Sequence, residues 1–287
     1  MENLVSICIP TFNGAKYIAE AMDSAIEQTY SNIEIIISDD KSNDNTLAIV
    51  ESYREKTDIP IYIYHHQPNG IGANWNNSVK KANGEYIKFL FQDDILYSSC
   101  IEKMILVFCQ NPKLGLVACK RDFIIEEKKS ESINNWINKY GNLQSDFEKN
   151  EPITFLDNTF FKNKNFLRPP LNKIGEPPVV MFKKSMLAKV TYFDEKLVQI
   201  LDYIFYYKIL KHYPIAIINK PLVAFRIHKD QATSVNKNKS IPDYKMYDVI
   251  LYKDFFKLLN DSEQDRLQRK FSIYNKFKRV LKKIVNK

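Results

Sequence analysis

Glycine is scarce in this sequence, with seven residues among 287, and prolines number only twelve. That composition excludes fibrous and linker-rich architectures. No apolar run approaches 18 residues, so no transmembrane helix is predicted. The amino terminus, "MENLVSICIPTFN", has neither a positive n-region nor a long apolar h-region, and no secretory signal is read there. Cys8, Cys100, Cys109 and Cys119 are too widely spaced for a zinc pattern or a disulfide framework. Reduced core cysteines in a cytoplasmic protein are the expectation. What the chain does have is apolar and basic. It is 45% hydrophobic and 13% aromatic, enough for a sizeable packed core. Lys and Arg exceed Asp and Glu by 42 to 34, a net charge of +8 that suits an anionic partner: a nucleotide, a nucleic acid or an acidic membrane surface.

Two periodicities alternate over the first 120 residues. "LVSICIP" (4–10), "IEIIIS" (33–38), "IPIYIYH" (59–65) and "LGLVAC" (114–119) are short β-rich runs. So is "EYIKFLF" (85–91), in which Ile87, Phe89 and Phe91 alternate before Asp93 and Asp94. Between them apolar residues recur at helical spacing, as with Ile18, Met22, Ala25 and Ile26, or Ile71, Trp75 and Val79. Such alternation implies βαβ units and a mostly parallel sheet, with ligands bound beyond the carboxyl ends of the strands. Four polar segments then meet at one edge: "PTFNG", "DDKSNDN", "HQPNG" and "QDD". Residues 121–180 are rich in Asn, Lys and Pro and are predicted as a long surface excursion with one or two helices. "VVMF" (179–182) reads as a strand, "ILDYIFYYKILKHY" (200–213) as a helix and "YPIAIINKPLVAFRIH" (213–228) as a strand pair. The pattern is helical from 243 onward.

Alone, "SDDKSND" is a turn and helix cap. Adjacent carboxylates such as Asp93 and Asp94 repel each other and need solvation or a counter-charge. Asp94 is expected at an exposed strand end, clear of the core. Together, however, "VSICIPTFNGAKYIAEAMDSAIEQTYSNIEIIISDDKSNDNT" and "NGIGANWNNSVKKANGEYIKFLFQDD" resemble the amino-terminal half of family 2 glycosyltransferases. The resemblance runs over residues 4–105 and resumes at "GEPPVVMFKKSML", "LDYIFYYKIL" and "FRIHKDQATS".

The resemblance implies an α/β GT-A fold, a Rossmann-like and mostly parallel sheet flanked by helices, with a helical C-terminal extension. Its implied domains are 1–235, catalytic, with a nucleotide-sugar half (1–120) and an acceptor half (121–235), and 236–287, basic and helical. It implies an inverting transfer from a nucleoside diphosphate sugar, UDP-sugar first, to a saccharide or lipid-linked acceptor of a bacterial surface polysaccharide. Pro10, Thr11 and Asn13 would line the base and ribose pocket, Asn74 would join them, and Asp39 or Asp40 would accept a uracil N–H. Asp93 would face the ribose and Asp94 a divalent cation, Mn²⁺ or Mg²⁺. Asp202 would be the catalytic base, with an N-cap as its alternative. His228 would reach the metal or diphosphate, and Arg226 the diphosphate or a local carboxylate. Trp75 departs from a basic residue common in the family and is read as core.

Two other functions compete. A sugar nucleotidyltransferase would want a glycine-rich basic loop after the first strand, which "PTFNG" is not. A nucleic-acid-binding module is motivated by charge alone, and no RNA or DNA motif appears. The basic residues gather instead at "RLQRKFSIYNKFKRVLKKIVNK" (266–287), which has nine Lys or Arg and no acid. Phe271, Tyr274, Phe277, Val280, Leu281 and Ile284 form an apolar stripe there, read either as core packing or as an interfacial helix on the anionic inner face of the cell membrane.

Overall fold

A computed structural model describes residues 3–126, 131–147, 150–229, 231, 241 and 243–272. Strands β1 (Val5–Thr11) and β2 (Ile33–Asp39) are buried along their whole length. Such runs suit a parallel sheet covered on both faces. β3 (Ile61–His65) lies beside β2 and β4 (Tyr86–Phe89) beside β1, all parallel. Helices α1 (Ile18–Ile26), α2 (Thr46–Ser52) and α3 (Ile71–Lys81) are the crossovers. Trp75 is core as predicted, within 6 Å of the rings of Phe89, Phe91 and Phe193. The parallel strands are tied at their amino ends by buried Glu34. It accepts hydrogen bonds from Ser6 Oγ (2.5 Å) and from the backbone N–H of Asn83 (2.6 Å).

The second half follows with β5 (Ile95–Leu96), α4 (Cys100–Gln110), β6 (Leu116–Ile125), α5 (Glu131–Tyr140), β7 (Ile153–Leu156), β8 (Val180–Lys183), α6 (Leu187–Val190), α7 (Leu201–His212), β9 (Ile215–Ile227) and α8 (Asp243–Ile250). The sheet order is β3-β2-β1-β4-β8-β6-β9-β5, with β7 also on β9. β6 and β9 are parallel, while β8, β5 and β7 run antiparallel to their neighbours. The expected α/β sheet flanked by helices is the architecture found. α7 is buried almost all round, and its start is capped by Asp243, whose Oδ2 accepts from the N–H groups of Val198, Gln199 and Ile200 at 2.6–3.2 Å.

Two expectations need correction. "YPIAIINKPLVAFRIH" is one long strand, because Asn219–Pro221 forms a bulge opposite Cys119–Arg121 and not a turn. A bulge admits a proline that the ladder could not otherwise hold. The 121–180 segment is no surface excursion either. Its first residues continue β6, β7 pairs with β9, and Phe160, Phe161, Phe166 and Ile174 are core. Phe161 meets the rings of Phe166 (4.9 Å) and Phe255 (5.4 Å), so a few aromatics anchor a polar stretch. Only α5, with no buried residue, fits the surface reading. The start of the basic segment fits the core-packing alternative: Leu267 is fully buried, and half-buried Phe271, the first residue of the stripe, lies 4.7 Å from Tyr252. Tyr274, Phe277, Val280, Leu281 and Ile284 fall outside the described residues.

Gly84 enters β4 so close to β1 that a Cβ there would lie 2.6 Å from the backbone nitrogen of Ser6. Backbone cannot step aside as a side-chain tip can. Gly84→Ala should therefore lower the unfolding free energy by about 1–3 kcal/mol, read as a shift in denaturant midpoint. An unchanged midpoint would show that β4 is free to move away from β1.

Candidate active site

The four polar loops do meet, and they are laced together by hydrogen bonds across the carboxyl edge. Thr11 Oγ1 donates to Asp39 Oδ1 (2.8 Å), and Ser42 gives its backbone N–H to Asp39 Oδ2 (2.8 Å) and its hydroxyl to Oδ1 (2.6 Å). Asn13, at φ 48°, donates its N–H to Ser42 Oγ (2.8 Å), and its Oδ1 accepts from Asn43 N (2.9 Å). Asparagine tolerates this left-handed backbone better than most residues. Gly14 N–H donates to Thr46 Oγ1 (2.7 Å), and Gln92 brackets Phe12, accepting from its N–H (2.9 Å) and donating to its carbonyl (3.1 Å).

This lacing sorts the first group of predicted residues. Pro10 and Thr11 are buried within β1, while Asn13 is exposed. Asp39 is fully buried and spends its carboxylate on Thr11 and Ser42. Asp40 is half-buried and meets His66 Nδ1 at 2.5 Å. Asn74 donates weakly to the Thr11 carbonyl (3.3 Å), and its Oδ1 has no partner among the described residues.

Asp94 is not at an exposed strand end. β4 stops at Phe89, and Asp94 sits 1% exposed in the following turn. Its Oδ1 accepts the backbone N–H of Arg226 (2.9 Å), and its Oδ2 is buried with no hydrogen bond among the described residues. Burial, then the neighbouring Asp93 charge, pushes its carboxyl well above the usual range. Asp93 is more open and takes His228 Nε2 on Oδ2 at 2.9 Å. His228 is itself buried, 4.9 Å from the Tyr17 ring.

Arg226 adopts the local-carboxylate alternative. Its guanidinium donates to Glu20 (2.7 Å), Glu126 (3.2 Å) and the Asp93 carbonyl (2.8 Å), and lies 4.8 Å from the Tyr17 ring centre.

Asp202 lies in the first turn of α7. The N-cap there is Ile200, so the capping alternative for Asp202 does not hold. Asp202 is 9% exposed. Its Oδ2 accepts from Asn172 Nδ2 at 2.9 Å, and Oδ1 accepts no bond of normal geometry. Burial pushes its carboxyl up to about 7, against the backbone N–H groups at the helix start. The charge of Glu176 adds upward pressure on both Asp94 and Asp202. Glu176 thus acts on both aspartates. Glu176 is ion-paired with buried Arg121 at 2.9 Å.

Glu176, Arg121, Asn172 and Phe12 were not singled out from sequence. Phe12 stands in the quoted "PTFNG" and is 56% exposed, an aromatic held out by a clamped backbone. Glu176 stands in the quoted "GEPP", where an acid between glycine and proline was the available signal. Arg121 and Asn172 carried none.

The Asp202 carboxyl has a folded value near 7 against an ordinary 3.8. It therefore stabilises the fold when protonated and loses that contribution as pH rises from about 4 through 7. Asp202→Asn removes the titration. The stability difference, variant minus wild type, should grow across that window by about 4 kcal/mol, measured by denaturation at a series of pH values. A difference that stays flat with pH would mean the carboxylate is better solvated than its burial implies.

Comparison with known proteins shows the family and the fold. The glycosyl transferase family 2 model matches residues 6–190. An uncharacterized glycosyltransferase of Rickettsia typhi is 31% identical over 261 residues, 91% of this chain and 74% of its own length. The GalNAc(5)-diNAcBac-PP-undecaprenol beta-1,3-glucosyltransferase of Campylobacter jejuni is 28% identical over 197 residues, 67% of this chain and 55% of that protein. In fold the chain is similar to S. aureus TarS in complex with UDP-GlcNAc, with a TM-score of 0.68 at 20% identity over 93% of this chain and 71% of that one. It is also similar to the mannosyltransferase PcManGT of Pyrobaculum calidifontis in complex with GDP-Man and Mn²⁺, with a TM-score of 0.56 at 17% identity over 95% and 76%. The sheet is the GT-A sheet, and the chain belongs to glycosyl transferase family 2.

Proposed function

We propose that the chain transfers a sugar, with inversion, from a nucleoside diphosphate sugar to a saccharide or lipid-linked saccharide acceptor. The observation that carries this reading is the pair of buried carboxylates at the ligand edge, each with one uncommitted oxygen: Asp94 Oδ2 and Asp202 Oδ1. UDP-sugar is our first choice of donor. Asp40 is the better candidate of its pair for a base N–H, since the Asp39 carboxylate is consumed internally. Phe12 offers a ring face on which a base can stack. Asn13 and Asn74 supply polar atoms beside it, and Asp93 meets the ribose.

A hard divalent cation needs only one or two protein carboxylates when phosphates complete its coordination. Among the described residues no cluster of three or more His, Cys, Asp or Glu forms a cage, and the uncommitted Asp94 oxygen fits that sparser arrangement. Mn²⁺ or Mg²⁺ held at Asp94 would supply positive charge to the leaving diphosphate. We assign His228 first to orienting Asp93, to which its Nε2 is given, and Arg226 to holding the site together. Asp202 takes the proton of the acceptor hydroxyl as that oxygen attacks the anomeric carbon, opposite the departing nucleoside diphosphate. Similarity to an enzyme named for a PP-undecaprenol substrate supports a lipid-linked acceptor.

Such an acceptor favours work at the inner face of the membrane. No helix among the described residues is long and apolar enough to cross one. Residues 273–287 hold six of the nine cations of the basic segment. Each contributes about 1 kcal/mol near an anionic leaflet. Sedimentation with anionic vesicles should weaken when 273–287 are removed, whereas equal binding by both forms rejects the contact.

A thermal-shift screen of UDP-, GDP- and dTDP-sugars, with and without Mn²⁺, tests the donor reading. A UDP-sugar should raise the melting temperature most, and Mn²⁺ should add to it. Asp94→Asn keeps an acceptor for the Arg226 N–H, so it should fold normally, lose the Mn²⁺ increment and lose about 10²-fold or more in turnover. Phe12→Ala should raise donor KM with little change in kcat. Undiminished, metal-independent turnover in Asp94→Asn would sink the assignment.

A further inference from the structure

Asn172 opens "NKIGEPP", the segment ahead of β8, and both ends of its amide are engaged. Oδ1 accepts from the backbone N–H groups of Ile174 (3.0 Å) and Gly175 (2.9 Å). Nδ2 donates to the Gly175 carbonyl (2.9 Å) and to Asp202 Oδ2 (2.9 Å). Two N–H donors aimed at one atom require that atom to be the oxygen, so the loop fixes which way the amide faces. The nitrogen is thereby presented to Asp202.

The loop that does this is firmly seated. Gly175 has φ 133°, a conformation side-chain-bearing residues rarely adopt, and a Cβ there would meet the Val179 side chain at 2.4 Å. From behind, buried Gln144 donates to the carbonyls of Lys173 (3.0 Å) and Ile174 (3.1 Å), and Lys173 pairs with Asp146 at 2.9 Å.

We propose that Asn172 is a positioning residue for the Asp202 carboxylate, holding Oδ2 so that Oδ1 is the oxygen left for the acceptor proton. The inference rests on Asp202 as the base of the proposed transfer. An N–H donor beside a buried carboxylate also favours its charged form, the form a base must have. The other groups that act on or feel this carboxylate are Glu176 on the same loop, Tyr203, Tyr206 and Tyr207 on α7, and Tyr244 on α8. Burial raises all four phenols, so they stay neutral near pH 7 and only Glu176 competes as a charge.

Asn172→Asp is the discriminating variant. A carboxylate still accepts from the N–H groups of Ile174 and Gly175, but it faces Asp202 with an oxygen in place of a donor. It should keep the wild-type donor KM, lower kcat at neutral pH about tenfold or more, and move the acidic limb of the kcat/KM profile upward by about one pH unit. Asn172→Ser, whose hydroxyl can still accept within the loop but is too short to reach Asp202, should move the limb the same way by less. Glu176→Gln should move it downward, because it removes a negative charge. If Asp202→Asn is inactive while both Asn172 variants keep the wild-type limb, the positioning role is overturned and the base reading stands. If Asp202→Asn turns over normally, the base reading falls and the inference falls with it.

Discussion

Arg226 ties four parts of the chain at one point. Its guanidinium bonds Glu20 on α1, Glu126 after β6 and the Asp93 carbonyl in the turn after β4, and lies over the Tyr17 ring. Its own backbone N–H, on β9, goes to Asp94. A buried guanidinium is tolerable only when its fork is filled, and here carboxylates and a carbonyl fill it. Glu126 in turn takes Lys16 and Tyr17, and those contacts hold its carboxyl down at about 2. Glu126 is therefore charged across the neutral range. It fixes the turn carrying Asp93 and Asp94 against a strand more than 130 residues away in sequence.

That fixed turn explains how two adjacent carboxylates coexist. They point to different surroundings: Asp93 to partial solvent and an imidazole, Asp94 into the protein. Burial, and then the Asp93 charge, favours the neutral form of Asp94, which lessens the repulsion between the two. A cation held at Asp94 in the proposed reaction would favour the charge that burial discourages.

The amino-terminal half was legible because its signals are local. Periodicity of two, then 3.6, then two again identifies β1 to β4, and the edge rule assembles the loops. The lacing of Asn13 to Ser42 and Asn43 is what that rule could not supply, since it depends on side chains about thirty residues apart. The second half defeated the same reading for identifiable reasons. Asn219–Pro221 looks like a turn and is a bulge. Phe160, Phe161 and Phe166 are diluted by asparagine and lysine, so no periodicity betrays their burial. Asp202 was singled out through family resemblance, but its amide partner Asn172 was not, because the bond spans an irregular loop.

The direction of β8 is what unites the two halves. It lies between β4 and β6, antiparallel to both, with Lys88 opposite Met181 and Tyr86 opposite Lys183. A parallel strand would deliver the loop that follows it to the ligand edge. A reversed strand delivers the segment that precedes it, and that segment carries Asn172 and Glu176. Lys88, wholly buried on β4, fastens the junction by donating to the carbonyls of Phe89 and Pro178. Pro177 and Pro178 suit this place, since they leave no N–H groups to satisfy where the chain turns into the sheet. The polar atoms for the donor thus come from loops after parallel strands. In the proposed reaction the groups that act on Asp202 come from a loop before an antiparallel one, and Glu176 on that loop acts on Asp94 as well.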